Sequence, residues 1–499
     1  MEWLWPVMLL PVALGLLPWR APNSTHLPFY WPAEVGLAVA CGLVTGLLSA
    51  FWLAEFHLTS GNYLSSDFHE YCASMVHLAA DDLENYSQAR STLAGATKSW
   101  LHTRIGVVDA LNVAGILSQV VIGTGLYLWG RAAHGRIAGV FAAVAACTMA
   151  PLLLQSRTIS FYPEVTAAFT LAAGFVALAL RFRSLRMVAL GAAAVGLTLL
   201  VDLRGVFWAV PYLGLVGLAA AWSPTRRWPL RFGCLLLILW AAWFAGRYAY
   251  TPWTNPLETH IGLRYRLIDR GIEVPEPLLE NPTSAYVWGR TPVHEIPATF
   301  LTVWQRSGHL PDEIWDNPKT RSNTKRHVTP WRPVWIGSGI LALLGLARGR
   351  DRKARLLILI GTGVPFLVAL KGAIEVQQAF PRFVANSLPW FAVLMGVAGA
   401  VLVDGWHSRS GRQGWARLAA ATALAFLLVL GAIPTWLSPT ASWRTPTSAS
   451  PHAIRRVVEA AEEGTAGRPG YGDCVGAVKR DLEAGRSTSG SLYGGIWSD

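Results

Sequence analysis

Long apolar runs separated by short polar breaks recur along this chain from its first residues to about position 436. They fall near 2–18, 34–54, 105–128, 137–155, 164–180, 187–201, 206–222, 232–249, 333–347, 356–370, 383–403 and 417–436. A helix crosses a hydrocarbon core of about 30 Å with roughly 20 apolar residues, so the longer runs span it outright and the shorter ones reach it with their flanks. Only helices satisfy their own backbone polar groups in such a run, which predicts an all-α polytopic membrane protein with about 11–12 transmembrane helices. The first run contains Pro6 and Pro11 and lacks both a basic start and a small-residue cleavage site. It reads as a retained first span, with a signal peptide and an interfacial helix as the other readings.

Basic residues orient the spans, because short cytoplasmic loops are enriched in Lys and Arg. Alternate breaks carry them: Arg131 and Arg136; Arg181, Arg183 and Arg186; Arg226, Arg227 and Arg231; Arg348 to Arg355; Arg409, Arg412 and Arg417. These breaks are expected to face the cytoplasm and the others to face outward. The chain then divides into a membrane domain over 1–436, with outer loops at about 55–104 and 250–332, and an extracytoplasmic tail over 437–499. The 250–332 loop mixes Pro, aromatic and charged residues and predicts short ordered helices. The tail holds one amphipathic candidate, "PHAIRRVVEAAEEG", before Gly/Ser-rich sequence.

Composition sharpens this picture. Of 499 residues, 53% are hydrophobic and only 14% charged, which excludes an ordinary soluble domain. The net charge of +12 resides mostly in loop arginines, so it marks topology rather than a nucleic-acid partner. The five cysteines show no metal-ligand spacing. Cys41, Cys147 and Cys234 lie in apolar runs, where a thiol acts as a small hydrophobe, and Cys72 and Cys474 are the two in polar segments that an oxidising compartment would allow to pair.

The informative charges are those that topology does not require. At the outward ends of spans stand Arg157 with Glu164 in "QSRTISFYPEV", Asp202 with Arg204 in "LLVDLRGVF", and Lys371 with Arg382 in "LVALKGAIEVQQAFPRF". Charges at membrane depth are costly and usually face a bundle interior or an aqueous cavity. Each pair also has a plain reading, as a local ion pair, a snorkelling cation or a solvated turn. Several hairpins nevertheless bring acids and cations to one membrane face. On the same face, "LTSGNYLSSDFHEYCASM" follows the second apolar run and holds Asp67, His69 and Glu70. The i, i+3 spacing puts Asp67 and Glu70 on one side of a short helix, while "SSD" is also an N-cap signature. A metal site at Asp67, His69 and Glu70 stays open, although one short cluster supplies too few ligands by itself.

The acid-bearing loop, then "YSQARSTL", then "DALNVAGILSQVVIGTGLYLWG…SRTISFYPEV", together with "FPRFVANSLPWFAVL", resembles the GT-C superfamily of integral membrane glycosyltransferases. The resemblance is to the bacterial branch related to protein mannosyltransferases and to the aminoarabinose and galacturonic-acid transferases of lipopolysaccharide. It is clearest over 60–220 and 365–400. It implies an inverting transferase in the bacterial inner membrane, with its active site on the extracytoplasmic face. The implied partners are a polyprenyl-phosphate-linked sugar as donor, a glycan, lipid or protein as acceptor, and the surrounding membrane lipids. No organic cofactor is implied, and a divalent metal stays open.

By the same resemblance Asp67 matches the general base and Glu164 an acid of the second outer loop. Lys371 and Arg382 match cations that hold the donor phosphate, with Arg157 and Arg204 as further candidates. Family members commonly show Asp followed directly by Glu, whereas here Phe68 and His69 precede Glu70, which sets Glu70's role apart. Two other classes share the layout: a secondary transporter, and a non-catalytic envelope polysaccharide assembly protein. The halves of the chain show no obvious repeat, and the charges gather at one face instead of the midplane, both against a transporter.

Overall fold

The fold is taken from a computed structural model, which describes residues 31–59, 92–148, 162–182, 185–201, 206–222 and 388–407, together with residues 75, 76, 79 and 152. Among these residues all regular structure is helical. Eight helices follow in chain order: α1 (Trp31–Thr59), α2 (Thr92–Ile105), α3 (Val107–His134), α4 (Arg136–Thr148), α5 (Tyr162–Phe182), α6 (Leu185–Val201), α7 (Val206–Ala221) and α8 (Leu388–His407). Three of them, α1, α3 and α5, are long and apolar enough to cross a membrane, and α4, α6, α7 and α8 hold shorter apolar stretches. The molecule is a multi-pass helical membrane protein. The expected spans at 2–18, 232–249, 333–347, 356–370 and 417–436, the 250–332 loop and the 437–499 tail lie outside the described residues.

Helix α3 is the axis of this bundle, packing against α1, α2, α4, α5 and α8. Its 28 residues extend about 42 Å at 1.5 Å per residue. Single glycines end it on both sides: Gly106 at φ 90° joins it to α2, and Gly135 at φ 117° turns it into α4. A side chain would be strained at either position, so the glycines permit one-residue joints between long helices. The α5–α6 hairpin packs on one flank of α3 and carries α7, while α8, from far along the chain, seats against α4.

Close approach replaces hydrophobic segregation as the packing force here, since lipid is as apolar as the side chains. At the α3–α5 crossing, a Cβ on Gly125 would stand 2.8 Å from the backbone of Thr170 and Leu171, and one on Gly174 would stand 2.7 Å from the Gly125 carbonyl. Deeper in, the buried aromatics Trp129, Phe169 and Tyr212 tie α3, α5 and α7 together. The Trp129 and Phe169 rings meet edge-on at 6.4 Å between centroids, and Phe169 and Tyr212 lie 5.8 Å apart. Gly125→Leu is expected to destabilise the protein by about 1–3 kcal/mol, because the obstructing atoms are backbone and cannot rotate away. Chemical unfolding in mixed micelles measures it, and an unchanged midpoint would show that the crossing has slack.

The sequence reading ends the α3 run at 128, before Arg131. The helix continues to His134 because that charge is paired inside the bundle. The outer face of α1 is the opposite case, with Val35, Val39, Leu43 and Leu47 exposed at four-residue spacing, as a lipid-facing stripe requires.

Candidate functional site

Two buried charge clusters stand at different levels of the bundle. The first joins α2 to α5. In α2, Ala94, Lys98 and Leu101 recur at i, i+4 and i+7, so Lys98 lies on the stripe that faces the bundle and is 3% exposed. Its Nζ lies 2.8 Å from Oε1 of Glu164. Glu164 stands in the first turn of α5, where the positive end of the helix dipole favours a carboxylate. On the opposite face of α2, Trp100 is 56% exposed and Arg104 stacks on its ring at 4.5 Å, the arrangement of an amphipathic helix at a membrane–water boundary.

Burial pulls the Lys98 ammonium below its ordinary value of 10.5, and the charge and hydrogen bond of Glu164 offset part of that shift. A base whose folded value is lowered binds its proton more weakly in the folded state. The burial penalty is therefore fully present below the lowered value and relieved as pH rises from there toward 10.5. Relative to Lys98→Met/Glu164→Gln, in which neither group titrates, the wild type is expected to gain stability as pH rises through that window. Thermal unfolding of both proteins across neutral to alkaline pH checks the sign; a relative loss would contradict it.

The second cluster lies at the C-terminal end of α3. Glu34, in the first turn of α1, is fully buried. Its Oε1 accepts from Arg131 Nε at 3.0 Å and from Arg136 Nε at 2.9 Å, and its Oε2 accepts from the Tyr127 hydroxyl at 2.7 Å. Arg131 also lies over the Phe182 ring at 5.4 Å, and Arg186 over Trp31 at 5.5 Å. Arg131 and Arg136, read from the sequence as loop cations, are thus drawn onto a carboxylate inside the fold: Arg131 is 5% and Arg136 19% exposed.

Of the residues the sequence singles out for the site, Glu164 is described. Asp67, His69, Glu70, Arg157, Asp202, Arg204, Lys371 and Arg382, and the cysteines Cys72 and Cys474, lie outside the described residues. Cys41 and Cys147 are buried free thiols. Among the described residues no group of three or more His, Cys, Asp or Glu could hold a metal ion. Sequence reasoning missed Lys98 and Glu34. The signal for Lys98 was a cation on the Ala94–Leu101 stripe, and the signal for Glu34 was a lone acid inside an apolar run.

No protein-family model matches the chain, and no curated protein matches it. Solved structures do. ArnT from Cupriavidus metallidurans bound to undecaprenyl phosphate is similar at 15% identity and a TM-score of 0.47, over 92% of this chain and 77% of that one. An oligosaccharyltransferase from Archaeoglobus fulgidus, in its apo form, is similar at 14% identity and a TM-score of 0.48, over 91% of this chain and 64% of that one. The Archaeoglobus fulgidus oligosaccharyltransferase AglB, in complex with an inhibitory peptide and a dolichol-phosphate, is similar at 13% identity and a TM-score of 0.41, over 95% of this chain and 63% of that one.

Proposed function

We propose that this chain is an inverting glycosyltransferase of the GT-C type, moving a sugar from a polyprenyl-phosphate donor to an acceptor outside the cytoplasm. The observation that carries the reading is the buried Lys98–Glu164 pair, which joins α2 to the start of α5. Asp67 belongs to the connection between α1 and α2, the helix that carries Lys98. Glu164 stands in the first turn of α5 rather than half-way along it, where an alternating-access transporter would place its site.

The chemistry suits these groups. A phosphate leaving group needs no proton, so one carboxylate suffices. Asp67 takes the proton of the acceptor hydroxyl as that oxygen attacks the anomeric carbon on the face opposite the phosphate, which inverts the configuration. Charge then moves onto the departing phosphate, which cations stabilise, Arg by paired hydrogen bonds and Lys as a point charge. Lys371, Arg382, Arg157 and Arg204 fill this role, and Lys98 joins them. Glu164 holds Lys98 and carries no proton itself. The acceptor is a lipid, glycan or protein of the bacterial cell envelope.

The test is purified protein in liposomes, given polyprenyl phosphate carrying mannose, galacturonic acid or aminoarabinose and an envelope extract as acceptor. Transfer with inversion, independent of any ion gradient, is expected. Retention of configuration, or gradient-driven uptake without transfer, would overturn the reading.

A further inference from the structure

Gln119 lies in α3 and is fully buried. Its Nε2 donates to the carbonyl of Leu152 at 3.0 Å, which ties α3 to the segment between α4 and α5 and fixes which arm of the amide is the oxygen. That oxygen, Oε1, is buried and has no hydrogen-bond partner. Buried carbonyl oxygens of this kind are rarely left unpaired, because removal from water is costly without a replacement donor.

The position of the amide gives the missing donor a context. Helices α3 and α5 run parallel, and their register is set where Gly125 meets Leu171 and Gly174 meets Leu128, each pair forty-six residues apart. Gln119 therefore comes level with Val165, beside Glu164. Glu164 presents the same need: its Oε1 faces Lys98, and its Oε2 is buried without a hydrogen-bond partner. Two acceptor oxygens, one on each of two adjacent helices, thus lack donors at the level of the Lys98 pair.

Nearby hydroxyls are committed elsewhere. Ser118 donates to Ala114 O at 2.9 Å, Thr124 to Val120 O at 2.8 Å and Thr170 to Thr166 O at 2.6 Å. A phosphate or carboxylate cannot supply what is missing, since it offers acceptors to acceptors. A sugar offers hydroxyl donors at several angles.

We infer that Gln119 is a specificity-determining residue whose Oε1 accepts a hydrogen bond from a hydroxyl of the donor sugar, with Glu164 Oε2 accepting a second. This rests on the glycosyltransferase reading above. It assigns the level of Gln119 and Glu164 to the sugar and leaves the carrier phosphate to the cations. The amide also holds the Leu152 carbonyl, so the same residue couples sugar contact to the α4–α5 connection.

The test compares binding of the sugar-bearing carrier, chosen from the panel above as the one the wild type transfers, with binding of sugar-free polyprenyl phosphate. Gln119→Met is expected to weaken the sugar-bearing lipid about tenfold, as loss of one hydrogen bond implies, and to leave the sugar-free lipid unchanged. Independently of whether that variant folds, a series of monodeoxy sugars on the carrier is expected to contain one that binds the wild type about tenfold more weakly. Equal weakening of both lipids by Gln119→Met, or a deoxy series without any such member, overturns the inference while the transferase reading stands. A wild type that binds and transfers none of the lipids defeats that reading first, and the inference with it.

Discussion

Asp67→Asn is expected to slow sugar transfer by about a hundredfold to ten-thousandfold, the usual contribution of a positioned general base. Asparagine keeps the size and one carbonyl oxygen of the aspartate, so a role in capping a helix or orienting the acceptor survives the change. Only the capacity to take a proton is lost. Because the donor phosphate is assigned to cations, donor affinity is expected to stay within about twofold, and the loss falls on kcat. The measurement is initial transfer rate at saturating donor, paired with donor binding in the same preparation. An unchanged rate would remove Asp67 from the chemistry; an equal loss of binding would make it a structural residue of the α1–α2 connection.

The architecture was legible where hydrophobicity acts alone. The apolar runs at 34–54, 164–180, 187–201, 206–222 and 383–403 reappear as α1, α5, α6, α7 and α8, with ends differing by a few residues. Departures occur where a charge is neutralised by a partner distant in sequence. Arg131 interrupts the apolar pattern, yet the helix runs through it because Glu34, ninety-seven residues earlier, supplies a carboxylate. No local window contains that information. Helix α2 was hidden for a related reason: in "TLAGATKSWLHTRI" small residues form the buried face, so its amphipathic pattern is faint and its lysine reads as solvated.

The candidate site was legible in kind and less so in membership. Acids and cations at the span ends read as outward mark candidate chemistry in the sequence, and Glu164 was singled out that way. Its partner was not, because sequence suggested Arg157, seven residues away, while the fold brings in Lys98 from sixty-six residues away across the α2–α3 joint. Gln119 carried no signal at all. An amide in an apolar helix resembles many others until its oxygen is found without a donor.

Glu34→Ala is expected to destabilise the protein by about 3–5 kcal/mol, the range for removing one partner of a buried ion pair. The carboxylate accepts from two guanidiniums and a phenol, so its loss withdraws a neutralising charge and three hydrogen bonds from one buried point. Glu34→Gln keeps an oxygen for the same donors and is expected to cost less, about 1–3 kcal/mol, because the hydrogen bonds persist without charge assistance. Pairing Glu34→Ala with Arg131→Met should recover part of the loss, since the uncompensated cation goes with it. Chemical unfolding in mixed micelles gives the values, and additive effects of the two substitutions would show that the residues act independently. The cluster pins the start of α1 to the α3–α4 joint, about 20–25 Å along α3 from the level of Lys98 and Glu164. In the folded fraction of Glu34→Gln, transfer is therefore expected to run at the wild-type kcat, because the two clusters share a scaffold and no reacting group.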